Sequence, residues 1–99
     1  MERINARKTT IIDALNGLLA YALAAMDQYF IHSQMYQDLG LHKLFERIAH
    51  VFDDEKIHGT KLIERILFLQ GTPNIKDRDG LEIGKDVQSM LASDLRVAV

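Results

Sequence analysis

The most constraining feature of this 99-residue chain is an apolar pattern of helical spacing that runs through its first forty positions. Steps of four and three residues join eight positions, which we call the inner stripe of the first helix: Ile11, Leu15, Leu18, Ala22, Ala25, Tyr29, His32 and Tyr36. This spacing is typical of a helix packed in a bundle. It predicts a first helix over residues 9–38, closed by Gly40, which can adopt the left-handed conformation that follows a helix.

A second pattern of the same kind predicts a helix over residues 41–70. Gly71 and Pro73 end it, because proline cannot continue a helix and glycine commonly follows one. At 1.5 Å per residue, two helices of roughly thirty residues are each about 45 Å long. Since only two or three residues join them, we expect the two helices to lie antiparallel.

The rest of the chain reads as a polar connector over residues 71–84 and the start of a third helix over residues 85–99. The first helix also carries a second apolar row, formed by Ile12, Leu19, Leu23, Met26 and Phe30. Two long helices and part of a third cannot cover that much apolar surface. We therefore expect an all-α fold in which residues 1–99 form a single, incomplete four-helix bundle domain, completed by a second chain or by a longer polypeptide.

Composition excludes several classes of protein and of site. With 47% hydrophobic and 26% charged residues the chain is typical of a soluble globular domain. It has no Cys, so any metal must bind His and carboxylate side chains. A net charge of -2 with scattered basic residues argues against a nucleic-acid partner. Asp13, Asn16 and Gly17 interrupt the first apolar run, so we expect no membrane span, no signal peptide and a cytoplasmic location.

Two ionisable side chains, Glu55 and His58, fall on the apolar face of the second helix. Burying such a pair is unfavourable unless both groups are partnered. Glu-x-x-His on an inward face is half of the motif found in carboxylate-bridged di-iron bundles, and iron accepts both ligand types. The alternative is a hydrogen-bonded Glu–His pair one turn apart that holds no metal.

Four other side chains are candidates for a site. Tyr29 and His32 lie on the inner stripe of the first helix, and His50 and Asp54 form a ligand-capable pair on a different face of the second. Each also has a structural interpretation: a core tyrosine with a satisfied hydroxyl, a hydrogen-bonded interior histidine, and a solvated helix pair.

Five segments, in this order along the chain, resemble bacterioferritin: DQYFIH at 27–32, EKIH at 55–58, IERILFLQGTPN at 63–74, IGKDV at 83–87 and MLASDL at 90–95. The resemblance implies the front portion of a ferritin-like four-helix subunit with a long crossover after the second helix. It also implies twofold dimers and a hollow cage of twenty-four subunits that oxidises ferrous iron and stores it as mineral.

Carried onto this sequence, the resemblance implies a role for each candidate metal residue. Glu55 matches the family's bridging carboxylate and His58 its iron-binding histidine. Tyr29 matches the tyrosine beside the di-iron site. His50 and Asp54 match a pair that faces the cage interior.

The chain departs from the family's pattern at three positions. Ala22 and Ala98 stand where the resemblance places terminal glutamates, and Lys56 stands at the haem methionine. Two irons that lose two of four carboxylates keep excess positive charge, so we expect weakened iron binding. Lysine has no thioether, so we expect no haem b in a homodimer.

The sequence thus predicts an iron-storage cage subunit with a depleted ferroxidase site, in a homo-oligomer or in a hetero-oligomer with an active subunit. It leaves open whether the chain is itself an enzyme. The alternative is a non-catalytic ferritin-like structural or binding module, in which Glu55 and His58 are a relic pair or bind another ion such as zinc. Haem carriage is a third interpretation, which Lys56 disfavours.

Overall fold

The computed structural model describes residues 2–74, 76, 80 and 83–98, with the backbone alone for residues 2, 3, 97 and 98. These residues form three α-helices and no strand: α1 (Glu2–Asp38), α2 (His42–Phe68) and α3 (Val87–Ala98). The all-α prediction is confirmed. The ends of α2 and the start of α3 lie within two residues of the predicted bounds, and Val99 lies outside the described residues.

The first helix begins at Glu2, earlier than the predicted start at Thr9. The prediction followed the apolar stripe, whereas residues 4–7 of the extra stretch are exposed to solvent and carry no buried face that would mark them as helical. Thr9 and Thr10 lie inside the helix, where each hydroxyl donates to a carbonyl one turn back, on Asn5 and Ala6, at 2.9 Å. Hydrogen bonding of this kind lets threonine continue a helix instead of capping it.

A hydrogen-bonded turn closes α1 where the sequence predicts it. Gly40 has the left-handed φ of 75°. Its N–H donates to the carbonyl of Gln37 at 3.0 Å, and the N–H of Leu41 donates to that of Tyr36 at 2.9 Å. These two bonds form the motif that satisfies the last carbonyls of a helix, and they direct the chain back along α1.

The same motif closes α2, but Gln70 takes the left-handed position, with φ 63°. The N–H groups of Gln70 and Gly71 donate to the carbonyls of Leu67 and Ile66, both at 2.9 Å. Gly71 serves a different purpose, since a Cβ built on it would lie 2.8 Å from Ile12 Cγ2. A glycine is therefore needed there because α1 passes so close.

The two long helices run antiparallel and pack through two apolar clusters. Ile12 lies beside Gly71 and Met26 lies beside Gly59, so the order of the contacts along the two segments is opposite, as in an antiparallel pair. The cluster nearer the α1–α2 turn contains Ala25, Tyr29, Tyr36, Ile48 and Met90, and the other contains Leu19, Ala22, Leu62 and Ile66. The part of the inner stripe from Ala22 to Tyr36 is buried as predicted, whereas Ile11 and Leu18 are 49% and 54% exposed.

The third helix packs on α1, and its backbone does not approach α2. Asp86 caps its start: the N–H of Ser89 donates to Asp86 Oδ1 at 2.8 Å, and the N–H of Asp86 donates to Ser89 Oγ at 3.2 Å. This reciprocal pair is a capping box. The backbone hydrogen bond from Ser89 is the main reason that the pKa of Asp86 is lowered.

A groove remains open between α2 and α3. A cavity of about 310 Å³ lies there, lined by residues of all three helices that include Tyr29, Val51, Asp94 and Leu95. Leu95 is 66% exposed at its edge. That residues 1–99 are an incomplete domain stays a prediction.

By length and composition alone, Ile4–Asp38 of α1 could cross a membrane. A core helix of a bundle passes the same test, and α1 buries the part of its inner stripe from Ala22 to Tyr36.

Candidate metal centre

Glu55 and His58 lie one turn apart on α2, because residues three apart on a helix are neighbours. Glu55 Oε1 and His58 Nδ1 are 3.2 Å apart. The carboxylate side chain is 24% exposed and the imidazole 57%. His58 therefore does not lie on the buried face of α2 as the spacing predicted, because that face contains Gly59 and Leu62 instead. The pair forms a half-open site with its imidazole toward solvent.

Tyr29 lies on α1, and its predicted place beside a di-iron site stays a prediction. Its side chain is buried, and burial is the largest contribution that raises its pKa to about 12. The negative charges of Asp94 and then Glu55 raise it further. Tyr29 is therefore a neutral phenol at physiological pH, with a carboxylate of α3 and one of α2 in its vicinity.

Ala22 is 1% exposed and packs in the apolar cluster with Leu62 and Ile66. It adds a methyl group to the seam where a glutamate would add two oxygen ligands. The side chain of Ala98 lies outside the described residues, but alanine has no donor atom in any conformation. Neither position supplies a metal ligand.

His50 and Asp54 occupy another face of α2, as predicted. The His50 Nε2 to Asp54 Oδ2 distance is 3.7 Å, and the side chains are 75% and 65% exposed. At this distance and exposure the pair is a weak, solvated ion pair at most. It is available to a cation from outside the bundle, and it is separate from the Glu55–His58 pair.

Lys56 is exposed on α2. On the same side of the helix pair, the rings of Phe30 and Phe52 have centroids 5.8 Å apart, and Phe30 is 55% exposed. The thioether of Met26 lies against Gly59 on α2. That the chain binds no haem as a homodimer stays a prediction.

The structure also contains a buried polar network that the sequence did not reveal. Asp94 Oδ1 accepts hydrogen bonds from Gln28 Nε2 at 3.0 Å and His32 Nδ1 at 2.8 Å. The hydrogen-bonded interior role of His32 is therefore confirmed, and Asp94 is its unforeseen partner. A usable signal was that Asp94 follows Val87 and Met90 at helical spacing, which places a carboxylate on the apolar face of α3.

Among the described residues, no three His, Asp or Glu side chains converge as metal ligands. One carboxylate and one imidazole can hold a single divalent cation weakly, whereas carboxylate-bridged di-iron sites draw ligands from four helices. The residues present therefore fit half of a metal centre. They do not by themselves fit two irons.

Comparison with known proteins shows that residues 12–98 match the model of the ferritin-like domain. The chain belongs to this family. It is similar to the bacterial ferritin of Paramagnetospirillum magnetotacticum, with 58% identity over 88 residues, which cover 89% of the chain and 54% of the relative. The ferritin-like assignment confirms the bacterioferritin resemblance and the predicted bundle.

Two further relatives of this ferritin-like chain support the assignment. The bacterial ferritin of Synechocystis sp. is 52% identical over 88 residues, covering 89% of the chain and 56% of the relative. The bacterioferritin of Rhodobacter capsulatus is 38% identical over 85 residues, covering 86% and 53%. The chain thus spans about half the length of the curated relatives that it matches.

Proposed function

We propose that this chain is the front portion of a bacterioferritin-type iron-storage subunit whose di-iron site is depleted of carboxylates. The observation that carries the proposal is the Glu55–His58 pair, with its two polar atoms 3.2 Å apart on α2 of a ferritin-like bundle. Both side chains are ligands that iron accepts. In this proposal iron is the stored cargo, and Glu55 and His58 provide a weak entry site for it.

Depletion follows from the chemistry of two alanine positions. Ala22 is buried in an apolar cluster and Ala98 is its proposed counterpart on α3. Two ferrous ions bring four positive charges, and each missing carboxylate leaves one more of them uncompensated in a region of low dielectric. Iron should therefore bind weakly at Glu55 and His58, and fast paired oxidation should be slow or absent.

An oligomer is part of the proposal, because large apolar side chains remain exposed on all three helices. Phe30 on α1 is 55% exposed, Ile57 on α2 57% and Leu95 on α3 66%. We infer that other helices or subunits cover these side chains in the assembly. We propose twofold dimers within the twenty-four-subunit cage, either of identical subunits or mixed with an active subunit.

The apolar length of α1 is explained by packing in such an assembly. Gln28 and His32 in its middle are hydrogen-bonded to α3 within the bundle, which a lipid-facing helix would not need. We therefore propose a cytoplasmic subunit that does not use membranes or nucleic acids as partners.

A second candidate function is a ferritin-like shell module that oxidises no iron. The observation that favours it is the substitution at the buried position Ala22, which adds only packing to the seam. In this case Glu55 and His58 are retained as a hydrogen-bonded surface pair or bind another ion such as zinc.

Ferrous iron added anaerobically to the purified full-length assembly, followed by mixing with oxygen in a stopped-flow instrument, tests the proposal. We expect iron uptake into mineral over minutes, with no fast stoichiometric phase. Glu55→Gln should reduce the slow uptake further, and Glu64→Gln, at an exposed glutamate elsewhere on α2, is the matched control for the loss of a carboxylate.

Two results would contradict the proposal. A rapid phase of two irons per subunit that Glu55→Gln abolishes would show a complete centre. Uptake that stays at the level of a protein-free solution, with the cage intact by sedimentation, would favour the shell module instead.

A further inference from the structure

The crossover between α2 and α3 is fastened to α1 near both of its ends. Near its start, Asn16 Nδ2 donates to the carbonyl of Thr72 at 3.1 Å, and the N–H of Asn74 donates to Asn16 Oδ1 at 2.8 Å. At its end, the N–H of Gly84 donates to His32 Nε2 at 3.0 Å. From residue 16 to residue 32 a helix rises about 24 Å, so the two points of attachment lie far apart along α1.

The bond to Gly84 fixes the proton of the buried imidazole. A backbone N–H can only donate, so His32 Nε2 must accept and carries no proton. The proton therefore lies on Nδ1, which donates to Asp94 Oδ1 at 2.8 Å. The two nitrogens of His32 thus hold two different elements, the end of the crossover and α3.

Asp94 receives donors from successive turns of α1. Gln28, one turn before His32, donates to Asp94 Oδ1 at 3.0 Å. The hydroxyl of Tyr36, one turn after, and Asp94 Oδ2 are both buried without a hydrogen-bond partner in the described part of the chain. Burial and then the charge of Asp94 raise the pKa of Tyr36 to about 12, so the phenol is neutral at physiological pH.

Sterics limit how the crossover and α3 can shift. A Cβ built on Gly84 would lie 2.5 Å from the backbone nitrogen of Met90, so the end of the crossover is pressed against the first turn of α3. A slide of α3 by one turn along α1 would still offer Asp94 a donor, Gln28 or Tyr36, but it would pull Gly84 away from His32. The imidazole therefore distinguishes the observed register from its neighbours, a role for which buried polar groups are suited.

We propose that His32 is a two-sided latch that couples the crossover to α3, so that release of α3 from Nδ1 also loosens Gly84 at Nε2. The coupling is mechanical: once Asp94 no longer holds the ring, the ring can rotate and its Nε2 no longer faces Gly84. This device sets the register in which α3 enters the bundle, and it is independent of metal binding.

Hydrogen–deuterium exchange of the full-length protein tests the latch, read on peptides that contain the Gly84 amide. Asp94→Ala removes the bond at the far nitrogen and does not touch Gly84. We expect exchange at Gly84 to accelerate at least about tenfold. Ser93→Ala is the matched control, because Ser93 is a buried neighbour on α3 whose hydroxyl bonds only within that helix, to Ser89 and Met90.

A second variant keeps the test decisive if Asp94→Ala fails to fold. Asp94→Asn retains an oxygen that accepts from His32 Nδ1, so exchange at Gly84 should stay within about twofold of the parent protein. Unchanged exchange at Gly84 in Asp94→Ala, equal acceleration in Ser93→Ala, or a tenfold acceleration in Asp94→Asn would each overturn the latch.

Discussion

Glu55 Oε1 lies 3.2 Å from His58 Nδ1, so the two candidate ligands of the metal centre already partner each other. A metal ion that binds both groups must displace this hydrogen bond. Metal binding is favourable only if the ion also finds further ligands. On α1 the family resemblance assigns a ligand to position 22, where this chain has Ala22. The stability of the protein with and without metal therefore reports how complete the site is.

Restoring a carboxylate at position 22 should make stability dependent on metal. Ala22 is 1% exposed, so Ala22→Glu buries a charge and should lower the free energy of unfolding by about 3 kcal/mol without metal. Zinc or ferrous ion kept anaerobic should recover most of that loss, because the new carboxylate then has a partner. Thermal unfolding with and without metal measures both effects.

Ala22→Gln is the matched control for this prediction. It has the same size as the glutamate variant without the charge, so its loss of stability should be smaller and should not respond to metal. Equal recovery of the two variants on adding metal would contradict the interpretation of position 22 as a vacant ligand position.

Haem binding should depend on position 56. A lysine amine ligates iron only when deprotonated, and two ammonium groups at a dry twofold interface would repel, so the parent protein purified as a homo-oligomer should hold no haem. Lys56→Met should increase haem uptake, measured by a Soret band that survives dialysis. Lys56→Leu, which removes the charge without adding a thioether, should not; a dialysis-resistant Soret band in the parent protein would refute the prediction.

Alkaline pH should destabilise the fold through two buried tyrosines. The pKa values of Tyr29 and Tyr36 are raised to about 12, whereas an unfolded tyrosine has a pKa of about 10. A raised pKa gives stability that is complete below pH 10 and is lost as the pH rises toward 12. The free energy of unfolding should therefore fall by about 1.4 kcal/mol per pH unit for each tyrosine in this window.

Denaturant titrations between pH 9 and pH 12, roughly the window set by the two tyrosine pKa values, measure this slope. Tyr36→Phe should reduce it by one tyrosine's share, and it removes a hydroxyl that has no partner among the described residues. If Tyr29→Phe and Tyr36→Phe each left the slope the same as in the parent protein, the prediction would be contradicted.

The end of α2 should respond oppositely to two glycine changes. Gln70 has φ 63°, a conformation that is unfavourable for a side chain, so Gln70→Gly should stabilise the protein by about 0.5 to 1 kcal/mol. Gly71→Ala should destabilise it, because the new Cβ would meet Ile12. Gln70→Ala is the control that removes the side chain and its 3.4 Å contact with Lys8 while keeping a Cβ; stabilisation by Gln70→Ala equal to that by Gln70→Gly would contradict the backbone explanation.

Local features of the fold could be predicted from the sequence because they depend on neighbours along one helix. The steps of four and three from Ala22 to Tyr36 mark a buried face whatever covers it, and Gly40 is the residue type that most easily takes the left-handed conformation after a helix. The sequence likewise predicted that Glu55 and His58 lie one turn apart, because residues three apart on a helix are neighbours. Their role as metal ligands stays a prediction.

Only the tertiary structure decided which residues of each helix are buried and which distant segment covers them. The spacing of α2 placed His58 on the buried face, whereas in the structure Gly59 is buried there, in contact with Met26 of α1. Asp94 was not among the predicted site residues, yet it is the centre of a buried network because His32, 62 residues away in sequence, contacts it. Periodicity describes the faces of one helix at a time, whereas the partner of each face depends on how distant segments pack against each other.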